Sequence, residues 1–368
     1  MRNVVRALYQ FQELRKETFN AGTKAVDDAC EIARKIGAKT WPVFRLTDKD
    51  FPLPRWVNRL MGWLVWKPQE LWLRLRFPKD VVLLVQHPLM TSRALTRNPE
   101  GLRLIKWLRD KRNMRVVTLV HDISELRSGD RKVSENMPDS LSNVLAYSDV
   151  LIVHNKAMRE WLEANGAAGK TMIELNVFDY LTNAPFAEDD TDAWKALTFA
   201  GNLRPDKCGF LKRVNELTGL DWYLYGPKFD PKVFNAPCMH YCGCVKPAEL
   251  TQYLNKGFGL VWDGDELETC SGEWGGYLRW NNPHKLSLYL ASGLPVITWS
   301  EAATVDFIKR YDVGLTVKSL KELPSVFANL TKDRYVEMRT NARNLAERLR
   351  NGDFLTVALR SAMKKLGS

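Results

Sequence analysis

The chain has 368 residues, 45% of them hydrophobic and 26% charged, with a formal net charge of +11. That length exceeds one ordinary hydrophobic core and suits two domains of roughly 180 residues each, while the apolar share excludes a disordered chain. The charge is uneven, +9 over residues 1–180 (30 Lys and Arg, 21 Asp and Glu) and +2 over the rest (24 and 22), so the first half is the one expected to meet an anionic substrate, membrane surface or nucleic acid.

No helix-turn-helix, zinc-finger or RNP pattern supports nucleic acid as that partner. A membrane span needs roughly 18 uninterrupted apolar residues, and the nearest run, Leu60 to Trp66, has seven and contains Gly62. Arg6 breaks the apolar start and no small-residue cleavage site follows, so the expectation is a cytoplasmic protein. Six cysteines, at 30, 208, 238, 242, 244 and 270, give no disulfide framework for this length. Cys238, His240, Cys242 and Cys244 raise a zinc site, but one strand would turn all four to a single face. Buried thiols on a small-residue strand are the preferred reading.

In chain order, the first half alternates strand and helix signals as a doubly wound parallel sheet requires. An opening strand near Val4 to Tyr9 precedes a helix from about Ala21 to Ile36. Strands are expected at Thr40 to Leu46, Val81 to Gln86, Arg115 to His121, Val150 to His154 and Thr171 to Leu175. Ligands of such sheets sit beyond the carboxyl ends of the strands. Two of these ends carry polar chemistry, His87 after VVLLVQ and His121-Asp122 after VVTLV.

Between Phe51 and Pro78, Trp56, Trp63, Trp66 and Trp72 are interleaved with Arg55, Arg59, Lys67, Arg74 and Arg76. This composition suits a helix lying in a membrane interface, with residues 54–78 on an anionic surface. It equally suits an amphipathic helix packed on its own domain. Pro52, Pro54, Pro68 and Pro78 are expected to divide the segment into two short helices.

A polar, acidic stretch from Thr182 to Asp192 separates an N-terminal domain, residues 1–181, from a second α/β unit, residues 193–351. Strands of the second unit are expected at Leu197 to Ala200, Trp222 to Tyr225, Gly257 to Trp262, Pro295 to Thr298 and Gly314 to Val317. Helices fall near Cys208 to Leu217, Pro247 to Asn255, Pro283 to Ser292 and Ala302 to Arg310, with terminal helices at Arg334 to Arg350 and Phe354 to Leu366. Within LRWNNPHKLSLYLASGLPVITW, Asn282 reads as an N-cap, Pro283 as the first helical residue and Gly293 as the left-handed stop. The free N–H groups and positive dipole end at Asn282, His284 and Lys285, with the Lys285 cation, suit a phosphate or pyrophosphate. An ordinary capped helix would read the same way. Gly201-Asn202, after the strand ending FA, and Lys207 at the next helix form a second feature of this type.

The runs NNPHKLSLYLASGLPVI, FAGNL (Phe199 to Leu203), GFGLVWDG (Gly257 to Gly264) and VHDISELRSG (Val120 to Gly129) resemble one bacterial glycosyltransferase family. It comprises β-1,6-galactofuranosyltransferases and adhesin-modifying glucosyltransferases, and the similarity runs from about Asn20 to Asn351. The resemblance implies a GT-B fold, two Rossmann-like domains of doubly wound parallel sheet facing a cleft. Residues 352–368 would then form a helix crossing back to the N-terminal domain. It also implies a UDP-sugar donor with no cofactor and no metal. The nucleotide would lie against the C-terminal domain, its base held by backbone near Val245, with Tyr225, Gly226 and Asp263 lining the same cleft. Many GT-B enzymes hold the ribose with a glutamate where this chain has Leu288, so that contact is unassigned.

An inverting transfer needs a group that takes the proton from the acceptor hydroxyl. Asp122 is the leading candidate, then His121 and His87; alternatively His121-Asp122 only caps its strand and binds acceptor hydroxyls. Asp263-Gly264-Asp265 has the letters of a metal-binding DxD motif but sits in the wrong domain for it. The reading is a hexosyltransferase acting from a UDP-hexose on a carbohydrate or lipid-linked saccharide acceptor, at the inner face of the plasma membrane if 54–78 binds lipid. A non-catalytic partner subunit of GT-B shape is the alternative. An epimerase or dehydrogenase lacks its GxGxxG, and a homo-oligomer is left open.

Overall fold

Short runs of branched and aromatic residues, buried on both faces, favour parallel pairing, and every strand pairing here is parallel. The structure is a computed structural model describing residues 6–14, 21–44, 54–88, 100–128, 140–188, 190 and 192–367. The first sheet contains β1 (Leu8–Leu14), β2 (Lys39–Phe44), β3 (Val82–His87), β4 (Arg115–Val120), β5 (Val150–Val153) and β6 (Thr171–Glu174), in the order β2-β1-β3-β4-β5-β6. The second contains β7 (Leu197–Ala200), β8 (Trp222–Tyr225), β9 (Met239–Tyr241), β10 (Phe258–Val261), β11 (Val296–Trp299) and β12 (Gly314–Val317), in the order β9-β8-β7-β10-β11-β12. These are the two doubly wound sheets of a GT-B fold. Along β4 the side chains alternate between two cores: Val116 and Val120 join a cluster confined mainly to the first half, whereas Val117 and Leu119 join one that continues into the second sheet.

The connecting helices of the first half are α1 (Ala21–Lys35), α2 (Arg55–Arg76), α3 (Glu100–Arg112), α4 (Ser124–Ser128), α5 (Leu141–Tyr147) and α6 (Lys156–Leu162). Those of the second are α7 (Gly272–Gly276), α8 (His284–Ala291), α9 (Val305–Tyr311), α10 (Leu323–Asn329), α11 (Lys332–Asn351) and α12 (Asp353–Gly367).

Several expectations need correction. The opening strand lies later, at Leu8–Leu14, because its polar Gln10 is buried against Cys30 O and Thr40 Oγ1 (2.8 and 2.9 Å) and does not interrupt the sheet. The end of the expected Thr40 to Leu46 strand, with Arg45 and Leu46, lies outside the described residues. The segment 54–78 is one 22-residue helix with Pro68 inside it, not two. Proline forfeits one ladder bond, and beside it the Gln69 side chain donates to Val65 O at 2.8 Å while Leu73 and Phe77 anchor the far end in the core. Residues 247–255 form only the single turn Leu250–Gln252, and 209–216 wind as a 3₁₀ helix. Cys242 and Cys244 are exposed and Cys238 is half-buried, since β9 is an edge strand.

The two halves are tied by the chain's last turn. α11 stops at Gly352, whose φ of +86° is left-handed, and α12 returns onto α1, β5 and β6. Asp179 caps it from a distance, its two oxygens accepting from Phe354 N–H (3.2 Å) and Leu355 N–H (2.7 Å). A Cβ at Gly352 would lie 2.5 Å from Ile32 Cγ1. Gly352→Ala should therefore cost about 1–3 kcal/mol through backbone strain and overpacking, read as a lower urea midpoint. An unchanged midpoint would mean that this corner relaxes freely.

Candidate functional site

In an open α/β sheet, ligands bind at the carboxyl ends of strands where the strand order reverses, here between β7 and β10. Gly201 follows β7 and Gly226 follows β8, and these backbones meet so closely that a Cβ on Gly226 would lie 1.8 Å from Gly201 O. The floor of the cleft is therefore bare backbone. Lys285, on the first turn of α8, reaches beneath Gly201. Its ammonium donates to Asp263 Oδ1 at 2.7 Å and to Trp262 O at 2.9 Å, and stands 4.4 Å from the centre of the Phe199 ring. The Lys207 ammonium rests 4.7 Å from the Trp274 ring centre, with no hydrogen-bond or ion-pair partner among the described residues. Burial lowers its pKa, the Asp263 charge opposing that shift. The buried Asn202 Oδ1 next to Gly201 also lacks a partner among the described residues. Tyr225 turns inward, its hydroxyl donating to Tyr253 O (3.0 Å). Val245 is half-buried on a segment tied to the first half by Tyr180 Oη–H to Pro247 O (2.5 Å) and Thr182 Oγ1–H to Ala248 O (2.9 Å).

Opposite, three neighbouring strands of the first sheet end in histidine: His87 closes β3, His121 follows β4 and His154 follows β5. Gln86 gives its amide N–H to Val26 O (3.1 Å), which turns its Oε1 to His121 Nε2 at 2.7 Å. That assigns the His121 proton to Nε2. Phe178 is the hub of the cluster. It stacks on His121 with ring centres 5.4 Å apart, meets His154 edge-on at 4.9 Å and His284, from α8, at 4.6 Å. Burial pushes His121 well below the usual imidazole range, His154 to about 3 and His284 to about 4, so all three rings are neutral at pH 7. Asp122 remains partly exposed at the cleft, 3.5 Å from Arg127 Nη1. Arg127 also lies 3.9 Å from Glu273 Oε1 and 5.8 Å from the Trp274 ring centre, so α4 and α7 meet across the cleft.

Asn282 does not cap α8. Pro283 occupies the cap position with no side-chain bond, and Asn282 is instead buried between the halves. Its backbone N–H donates to His154 Nδ1 (2.9 Å) and its Nδ2 to His154 O (2.6 Å), while its Oδ1 accepts from Asn155 Nδ2 (2.8 Å). The tertiary partner won because a buried amide needs all its bonds satisfied. Asn155 meanwhile caps α6 through Met158 N–H (3.0 Å) and donates to Trp280 O (3.0 Å). The sequence reading missed His154, Asn155, Phe178, Arg127 and Trp274. Only His154 carried a signal, its place at a strand's carboxyl end beside His87 and His121.

Asp263 and Asp265 diverge. Asp263 is buried against Lys285, whereas Asp265 lies against Gly209, where a Cβ would come within 2.1 Å of its Oδ1. Among the described residues, no three His, Cys, Asp or Glu side chains are grouped to hold a metal. The His240 ring pairs with Asp221 Oδ1 at 2.9 Å, and the Cys242 thiol reaches only the His240 backbone carbonyl, at 3.4 Å.

Opposed parallel sheets with a backbone-floored, cation-lined cleft define a protein of GT-B architecture. Residues 6–177 match the glucosyltransferase 3-like N-terminal domain and residues 197–362 the C-terminal domain of the same family. The chain belongs to this glucosyltransferase 3-like family. It is 34% identical over 255 residues to the β-1,6-galactofuranosyltransferase WbbI of Escherichia coli (strain K12), covering 68% of this chain and 72% of that protein. It is 27% identical over 253 residues to glucosyltransferase 3 of Streptococcus gordonii, again 68% and 72%. Among solved structures, sucrose-phosphate synthase from Thermosynechococcus elongatus shares the fold with a TM-score of 0.62 at 11% identity, over 98% of this chain and 99% of that one. Anabaena Alr3699/HepE in complex with UDP and glucose does so at 0.58 and 11%, with 98% and 99% covered.

The buried imidazoles make the join sensitive to acid. Unfolded histidine titrates near 6.5, so as pH falls from about 6.5 toward 4 the unfolded chain takes up protons that folded His154 and His284 refuse, and stability falls. Asp179 and Asp28, raised by burial to about 7 and about 6, act oppositely, because the folded state protonates them first. His154→Gln removes one refusing group. Between pH 7 and 5 it should lose on the order of 1–2 kcal/mol less stability than the parent in urea unfolding; equal losses would mean that His154 accepts protons while folded.

Proposed function

We propose that the enzyme transfers a hexose from a UDP-sugar to a saccharide hydroxyl without a metal ion. The diphosphate is held against Gly201 and the start of α8 by Lys285 and Lys207, and Asp122 acts as the base. The observation that carries this is the Lys207 ammonium, drawn out of water onto the Trp274 ring beside a second cation and with no ion-pair contact among the described residues. A cation so placed stabilises the negative charge that develops on a departing diphosphate. His284 and the N–H groups at the start of α8 add the dipole of the helix. Neutral His121 lies next to Asp122 and orients an acceptor hydroxyl toward it. Both curated relatives described above are named as hexose transferases, of galactofuranose and of glucose, so donor calorimetry with UDP-glucose, UDP-galactose, UDP-galactofuranose and UDP decides the sugar.

Lys285→Gln keeps a hydrogen-bond donor but removes the charge, so metal-free UDP binding should weaken by about 1.5–3 kcal/mol. Asp122→Asn should instead lower turnover by about 10²–10⁴ with UDP binding intact. Unaltered UDP affinity in the first variant would remove the donor assignment, and less than tenfold loss in the second would move the base to His121 or His87.

The acceptor reading is a lipid-linked saccharide at an anionic membrane. On α2, Trp56, Leu60, Trp63, Leu64, Leu71 and Leu75 are exposed, Trp56 to 70% and Leu75 to 66%, in the half of the chain that carries the positive charge. Trp66 packs on the core instead. No helix among the described residues is long and apolar enough to cross a membrane. Sedimentation with anionic vesicles should show binding that salt weakens but does not abolish. Trp56→Ser with Trp63→Ser should remove the salt-resistant part, and a parent protein that stays in the supernatant at low salt would refute the reading.

A further inference from the structure

His154 has a place in the molecule that neither donor binding nor proton transfer uses. It is 1% exposed, and its two ring nitrogens reach different halves of the chain. Nε2–H donates to Val120 O at 3.0 Å, and Nδ1 accepts from Asn282 N–H at 2.9 Å. Val120 immediately precedes His121 and Asp122, and Asn282 stands three residues before Lys285. One imidazole thus spans the backbone that presents the base and the backbone that presents the diphosphate cation. Its own carbonyl takes a further bond from Asn282 Nδ2, and Phe178 closes the ring edge-on.

We infer that His154 is a positioning residue, which fixes the acceptor-side base relative to the donor-side helix by hydrogen-bonding to both backbones with a single rigid ring. This rests on the roles proposed for Asp122 and Lys285. A tether of this kind acts on the step that needs both halves, proton removal from an acceptor hydroxyl facing the donor carbon. It leaves intact the step that needs one half, UDP binding. Transfer is steep in this geometry, since a misplacement of about 1 Å can cost on the order of a hundredfold in rate.

The test separates kcat from donor affinity. Turnover is followed as UDP release from the UDP-hexose that calorimetry selects, with water alone and with a panel of alkyl hexosides, and UDP affinity is measured directly. His154→Leu should lower acceptor-stimulated kcat by about tenfold or more while UDP affinity stays within about twofold, and the share of donor lost to water should rise. His154→Gln should restore most of the rate, because its carboxamide supplies one acceptor and one donor at nearly the ring's spacing. Phe327→Leu, a cavity under α10 in the second domain, serves as the control for destabilisation and should keep kcat. Should His154→Leu fail to fold, His154→Asn carries the test, since it can accept from Asn282 N–H but reaches less far toward Val120. The inference is overturned if kcat is retained in that series, if UDP affinity falls in step with kcat, or if glutamine rescues no better than leucine. Unchanged UDP affinity in Lys285→Gln would strike the donor assignment itself, an outcome independent of the His154 series.

Discussion

The hydrogen bond from the Asn282 backbone to His154 is the constraint around which the cleft is arranged. Each parallel sheet offers its polar groups along one edge only, where its strands end, so a two-sided site exists only while those two edges are held opposite each other. The join is made of buried amides and one imidazole, each with its partners satisfied, which makes it directional in a way that apolar contact is not. α8 gives up a side-chain cap for it. The brace at the opposite end of the chain is of another kind, a left-handed corner at Gly352 followed by an apolar helix laid on the first domain.

This arrangement divides the electrostatics of the cleft. Burial keeps His121, His154 and His284 neutral, so they shape the site without adding charge to it. The field is then set by Lys207, Lys285 and Arg127 against Asp263, Asp122 and Glu273. Lys285 is ion-paired with Asp263, which fixes it in place. Lys207 rests on the face of an aromatic ring and, among the described residues, has no ion pair of its own, the Asp263 charge acting on it only at longer range. The Arg127 contact with Asp122 and Glu273 joins α4 to α7 over the same space, so charged groups of the cleft also hold its walls together.

The outer face of the first domain follows different physics. Along α2 one side packs on the core through Leu73 and Trp66, Trp72 meets Trp41 with ring centres 4.6 Å apart, and the other side leaves large apolar side chains in water. Glu70 holds Lys67 (2.8 Å) and Arg74 (2.7 Å), so part of the helix's positive charge is spent internally. What stays outward is mainly hydrophobic surface, an unusual exposure for a helix of this length in contact with water.

Local pattern was enough for much of this protein. Apolar runs bounded by Gly, Pro and Asn marked most strands of both sheets, because a strand buried on both faces must be continuously apolar whatever lies around it. The same logic placed Gly201, Asp263 and Lys285 near strand ends, and so near one cleft. Gln10 shows the limit: a polar residue belongs in a buried strand when a distant carbonyl and hydroxyl satisfy it, and sequence order does not reveal them. Asn282 shows it again. As a local residue it is a helix cap, and only the approach of His154 and Asn155, more than 120 positions earlier, offered it better bonds. The sequence by itself determined which segments form strands and which strand ends carry polar chemistry, since those depend on neighbours a few residues away. Only the tertiary structure decided which polar groups line the cleft and which bind each other, because a hydrogen-bonding side chain takes the partner that burial brings to it.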